Sequence, residues 1–158
     1  KKNKIIYKKF DWLHRGSDER QYCAPGVDLP VCSIMRTKHG LYKEYHTSLD
    51  DLTLISPEGL EGAFNNIKLC IEIMELNYYY QFKVLCEPQL GKRGLYPHIS
   101  TKNTKSKVKA MMNILAYADG KLSLLQIAEI INEDFFVCSE ISQSLVKGGL
   151  LQINLASK

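Results

Sequence analysis

The sequence predicts an α/β domain followed by a small helical module that ends in a strand. Three observations predict this. Residues 29–35 (LPVCSIM) are almost continuously apolar, as in a strand buried on both faces. Leu60, Phe64, Ile67, Ile71 and Met74 recur at helical spacing and make one apolar stripe. Residues 107–155 hold three short helical periods and then a β-type run.

The bulk composition is that of a globular protein. The 158 residues are 45% hydrophobic and 24% charged, enough for one ordinary core or two small ones. The net charge of +4, from 21 basic and 17 acidic residues, is too mild to argue for nucleic acid. No apolar run approaches the roughly 20 residues of a membrane span, so no membrane partner is expected. The opening KKNKIIYKKF is basic, but its apolar part is too short for a signal peptide. The first residue is Lys1, and a strand-like run follows almost at once. The expectation is a piece of a larger protein. Cys23, Cys32, Cys70, Cys86 and Cys138 form no Cys-x-x-Cys pair. They read as reduced, mostly buried thiols of a cytoplasmic protein, and Cys32, Cys70 and Cys138 sit in apolar patterns.

In chain order, residues 5–12 are β-branched and aromatic and predict a strand. Ser17 or Asp18 is placed to cap a short helical turn through Tyr22, which Pro25-Gly26 ends. The apolar run follows, then a polar loop over 36–45 that turns at Gly40. Ser56-Pro57-Glu58 supplies a cap, a first-position proline and an acid, so a helix is expected over 57–77. Residues 78–86 predict another strand. Gly91-Lys92-Arg93-Gly94 lacks the spacing of a nucleotide loop and reads as an exposed turn. Residues 98–106 (HISTKNTKS) are polar without an apolar period and read as a linker. The expected domains are therefore 1–99 and 106–155.

In the second domain, Val108, Met111, Met112 and Leu115 mark a helix ending at Asp119-Gly120. Ser123 caps a second, with Leu124, Ile127, Ala128 and Ile131 inward. Phe136, Ile141, Leu145 and Val146 mark a third, stopped by Gly148-Gly149. A strand over 150–155 completes a winged-helix plan. From 107 onward there are five lysines, five acids and no arginine. A DNA reader needs cations at phosphates, so this module argues for a protein-protein or intramolecular contact and against nucleic acid.

Two polar clusters flank the apolar run: Gly16-Ser17-Asp18-Glu19-Arg20 and Tyr45-His46-Thr47-Ser48-Leu49-Asp50-Asp51. By residue type alone His46 is a capping or surface residue, Asp18 a cap or a site residue, and His39 an exposed loop residue. The order is more telling: Gly-Ser-Asp, then Pro-Gly-Val before an apolar run, then His-Thr-x-x-Asp before a helix. Together with SPEGLEG, CEPQLGKRGLYP and the winged-helix tail, it resembles a bacterial aminopeptidase-like family. That family falls within the superfamily of zinc aminopeptidases and glutaminyl cyclases, and some members sit among polysaccharide-biosynthesis genes.

The resemblance covers essentially the whole chain. It implies a C-terminal part of a zinc-aminopeptidase-like mixed sheet with flanking helices. It implies His46 as a zinc ligand, with Asp18 and Glu19 beside the site orienting ligands or a substrate amine. Asp50 would hold His46 or cap a helix. One or two zinc ions would activate water against a peptide or aminoacyl bond. The superfamily's other motifs, a His-x-Asp, a Glu-Glu pair and a further acid, have no match here. The expectation is a hydrolase portion that is inactive as this chain, with the general base upstream. Two alternatives stay open: a non-catalytic interaction or regulatory module built on the winged helix, and a degenerate fold that binds ligand without turnover. An uncovered sheet edge would leave room for oligomers.

Overall fold

The structure, a computed structural model, describes residues 6–95 and 102–154. Residue 5 of the expected first strand, residues 98–101 of the expected linker and residue 155 of the expected last strand lie outside them. The chain divides into two compact units, Lys4–Cys70 and one built on Ile71–Lys158.

The buried core belongs to the second unit. Its elements are β1 (Tyr79–Phe82), α3 (Lys102–Tyr117), β2 (Asp119–Ser123), α4 (Leu124–Ile131), α5 (Phe135–Lys147) and β3 (Leu151–Ile153). Two earlier helices, α1 (Glu19–Tyr22) and α2 (Pro57–Leu76), precede them. The sheet order is β2-β1-β3, and both pairings are antiparallel. Its centre strand, β1, comes from the segment 1–99, and its edges from 106–155. Ile114, Leu124, Ile127, Ile141, Leu145 and Leu150 are wholly buried and pack as one cluster with Tyr80 and Leu151. Burying each such aliphatic side chain is worth roughly 1.5–3 kcal/mol.

The helix ends follow from local chemistry. Ser123 and Gln126 cap α4 reciprocally. Asn132 ends it at φ 54°, where Glu133 N–H reaches Ala128 O and Asn132 N–H reaches Glu129 O. Asp134 caps α5 by accepting from Phe136 and Val137 N–H. At the far end Gly149 takes φ 69°, and Leu150 N–H returns to Leu145 O at 2.9 Å. A left-handed residue with a 6→1 bond is the usual way to close orphan carbonyls. The expected glycine stop is therefore observed. The expected helix end at Asp119-Gly120 is instead the start of β2. Phe82 N–H already pairs with Ala118 O, so the ladder claims this segment.

Residues 90–95 close against the end of α5. Leu90 is buried, and Arg93 donates to Gly148 O at 3.0 Å. A Cβ on Gly148 would sit 2.9 Å from Leu95 Cδ1. Residues 91–94 are thus an exposed turn, as expected, anchored by buried Leu90 and by Arg93 on a carbonyl.

The first unit differs from expectation. Among the described residues, no strand forms in 6–78, and none in 6–70 is buried. Residues 6–11 of the expected first strand form no strand, and a 3-10 turn, Trp12–His14, capped by Asp11, follows. The expected central strand over 29–35 is irregular and exposed, and its ladder groups are spent locally. Pro30 has no N–H, Leu29 N–H donates to Tyr22 O at 2.8 Å, and Cys23 Sγ donates to Leu29 O and Val31 O. The helix expected over 57–77 forms as α2, yet its stripe stays exposed: Leu60 is 61%, Phe64 65% and Met74 64% accessible. Cys32 and Cys70 are exposed rather than buried; Cys138 is buried as expected.

Candidate functional site

The two polar clusters lie in the first unit, and His39 stands between them: Gly16 lies against its ring on one side and Tyr45 on the other. α1 starts after Asp18, whose side chain makes no cap hydrogen bond. Glu19, the first residue of α1, instead folds its carboxylate back onto the turn before the helix. Its Oε1 accepts from Gly16 N–H at 2.9 Å and Ser17 N–H at 3.2 Å. Its Oε2 accepts from Ser33 Oγ at 2.9 Å. These bonds, Gly16 and Ser33 foremost, hold the Glu19 carboxyl down at about 2. A carboxylate so saturated serves poorly as a proton acceptor and well as a fastener.

Gly16 lies against His39. A Cβ at position 16 would stand 2.5 Å from His39 Nε2. The His39 ring in turn lies 5.8 Å from Tyr45, and Tyr45 stacks on His46 at 4.0 Å with 16° between planes. Tyr42 meets Tyr45 edge-on at 5.6 Å. His39 and Tyr45 are half-buried, while His46 is exposed. His46 has φ 59°, a left-handed conformation that non-glycine residues hold at a cost of roughly 1–3 kcal/mol.

Asp50 sits on the Tyr42 side of this cluster. Burial, first, and then the charge of Asp50 raise the Tyr42 hydroxyl above its ordinary value. The following 3-10 turn, Leu52–Leu54, is capped by Asp51 through Thr53 N–H and Oγ1. Thr47 Oγ1 donates to Glu44 O at 2.7 Å and accepts from Leu49 N–H. Thus Gly16 lies against His39, His39 and Tyr42 flank Tyr45, Tyr45 carries His46, and the charge of Asp50 acts on Tyr42; Glu19 binds the turn that holds Gly16, and Asp18 precedes α1 without a cap bond. Ser33 and His39 carry no sequence signal for this role. Their partners are 14 and 23 residues away in sequence (33 − 19 and 39 − 16), and no period or motif links such positions.

The donors present do not make a zinc site. Among the described residues, no group of three or more His, Cys, Asp or Glu is placed to hold a metal ion. Zinc takes four ligands in structural sites and three protein ligands in catalytic ones. The cluster offers one exposed imidazole already stacked on a tyrosine.

On the winged-helix unit, the exposed residues of α5 include Val137, Glu140, Gln143 and Lys147. That face carries one cation. No helix among the described residues is long and apolar enough to cross a membrane.

Comparison with known proteins follows this two-part layout. Residues 77–153 match a family model described as a winged helix-turn-helix. Residues 1–77 match one described as a domain of unknown function (DUF4910). A Clostridium acetobutylicum protein, provisionally named a polysaccharide biosynthesis protein with aminopeptidase-like domain, is 37% identical over 145 residues. That match takes in 90% of this chain and 33% of the relative. The crystal structure of a provisionally named peptidase from Clostridium acetobutylicum superposes with TM-score 0.75 and 35% identity, over 89% of this chain and 31% of that one. The chain is therefore similar over about nine-tenths of its length to proteins of which it spans about a third, and its residues 77–153 are a winged-helix region.

Proposed function

We propose that this chain is the C-terminal portion of a zinc-dependent aminopeptidase-like hydrolase, closed by a winged helix. The observation that carries the reading is the match over 90% of the chain to 33% of a relative named for an aminopeptidase-like domain. In this reading His46 is one ligand of one or two zinc ions in the complete protein. Asp18 faces a peptide or aminoacyl substrate, and Asp50 shapes the Tyr42 side of the site. The donors among the described residues do not suffice to hold the metal by themselves. The chain alone is inactive. The exposed stripe of α2 and the exposed run 29–35 support the reading, since apolar surface of this extent in one region marks an interface. They are the faces on which the remainder of an aminopeptidase-like sheet packs. Five free thiols, three of them exposed, suit a reducing, cytoplasmic setting.

The test is calorimetric titration of zinc into this chain and into a version extended upstream by the matching segment of the relative. Each is measured with and without His46→Ala. Tight binding by the extended protein alone, lost on substitution, is the expected result. Absence of binding in both removes the ligand assignment. The winged helix would then become the working part, with a protein partner favoured over nucleic acid by the near-absence of cations on α5.

A further inference from the structure

We propose that Glu19 and Gly16 fix the placement of His46 through His39 and Tyr45, which makes His39 a positioning residue of the candidate site. The inference rests on the role given to His46 above, and its links are separate contacts. Glu19 Oε1 binds the two backbone N–H groups of Gly16 and Ser17, while Oε2 anchors the same carboxylate to Ser33. The turn therefore holds one position relative to the run 29–35. The turn then presents Gly16 as a floor for the His39 ring, so close that a Cβ would stand 2.5 Å from Nε2. The ring is seated by backbone on one side and lies 5.8 Å from Tyr45. Tyr45 carries His46 as a parallel stack.

His46 needs such support. It is exposed, in a polar loop, at φ 59°. A side chain in a strained backbone position persists where its surroundings over-determine it. The His46 ring rests on Tyr45 as a stack, so what places Tyr45 places His46. Tyr42, edge-on at 5.6 Å, braces Tyr45 from another direction. The arrangement also gives a reason for the glycine at 16 that the backbone itself does not. Gly16 does not hold a positive φ, so what a larger residue would meet there is the His39 ring, which would have to shift.

The experiment is proton–carbon NMR of the histidine rings in the metal-free chain, with His46 assigned by its loss in His46→Gln. Stacking on Tyr45 shifts the His46 ring protons upfield. Glu19→Ala and His39→Ala each move that signal toward the position of a free histidine. Glu19→Gln keeps one acceptor oxygen and an amide that donates to Ser33, and leaves the signal in place; Tyr45→Phe does the same. Gly16→Ala moves the signal in the parent chain and adds nothing in the His39→Ala background. Methyl signals of Leu54 and Ile67 report that the first unit keeps its fold. A His46 signal unmoved by Glu19→Ala, or a Gly16→Ala effect that persists without His39, overturns the proposal. Should His39→Ala unfold the unit, Glu19→Ala against Glu19→Gln decides by the same signal. Because no zinc is present, this outcome is independent of the calorimetric one.

Discussion

Asn77 Oδ1 accepts the backbone N–H of Leu125 at 2.8 Å, so the residue two before β1 closes the first turn of α4 across 48 positions of sequence. The N–H groups of a first helical turn have no partner within the helix. Leu125 is half-buried, so water substitutes poorly for the lost acceptor. Asn77→Ala should destabilise the winged-helix unit by about 1–3 kcal/mol. Asn77→Asp, which keeps the acceptor, should cost less. Urea denaturation followed by helical circular dichroism measures both. Equal losses would mean that the hydrogen bond is not what holds the turn.

The same turn carries a second fastening. Ser123 Oγ accepts from Gln126 N–H at 3.4 Å, and Gln126 Oε1 accepts from Ser123 N–H at 2.8 Å. Ser123→Ala should cost about 1 kcal/mol. Asn77 and Ser123 serve adjacent donors, so the first loss frays the turn that the second would have held. The double variant should therefore fall short of the sum by more than about 0.5 kcal/mol, the margin within which independent sites add. A strictly additive cycle would show that the two act on separate structures.

Where the sequence is legible, the signal is local. Ser56-Pro57-Glu58 starts α2 at Pro57, and Gly148-Gly149 stops α5, because caps and stops act within a few residues. β2 is illegible for the opposite reason. Asp119-Gly120 is a turn signal, and only pairing with β1, 40 residues earlier, makes it a strand. Residues 29–35 have the composition of a buried strand, but a strand exists only where another supplies a ladder. Here Leu29 N–H is committed to Tyr22 O. At the site, His46 and Glu19 stand out by motif, whereas His39 and Ser33 enter through contacts that spacing does not encode.

Cys138 should be unreactive in the native chain. It lies wholly buried in the α5 core, and burial, aided by Glu133 and Asp134, pushes its thiol up to about 12. Cys32, Cys70 and Cys86 are exposed. Cys23 is half-buried with its thiol on two carbonyls. Iodoacetamide at neutral pH, read by mass spectrometry, should label the three exposed cysteines first and Cys23 later. Cys138 should label only in denaturant. Labelling of Cys138 at the rate of Cys70 would mean that α5 opens in the native state.

The first unit should loosen in acid as Glu19 takes up its proton. The Glu19 carboxyl lies at about 2 in the fold against 4.5 when free, so its folded value is depressed. A depressed carboxylate contributes fully above its free value and loses that contribution as pH falls toward the folded one. The window is therefore pH 4.5 down to about 2. Glu58, lowered by its own backbone N–H first and then by Ser56, joins from 4.5, and Asp11 and Asp51, lowered by the His14 and Thr53 side chains first, join in the lower part from 3.8. In Glu19→Gln the Glu19 share disappears, and the decline across the upper part of the window should flatten. The Gly16 and Ser17 amide signals, followed by NMR from neutral pH downward, read the titration directly. A midpoint near 2 fits the three hydrogen bonds. A midpoint at 4.5 would mean that Glu19 is free in solution, and the turn it fastens would then owe its shape to something else.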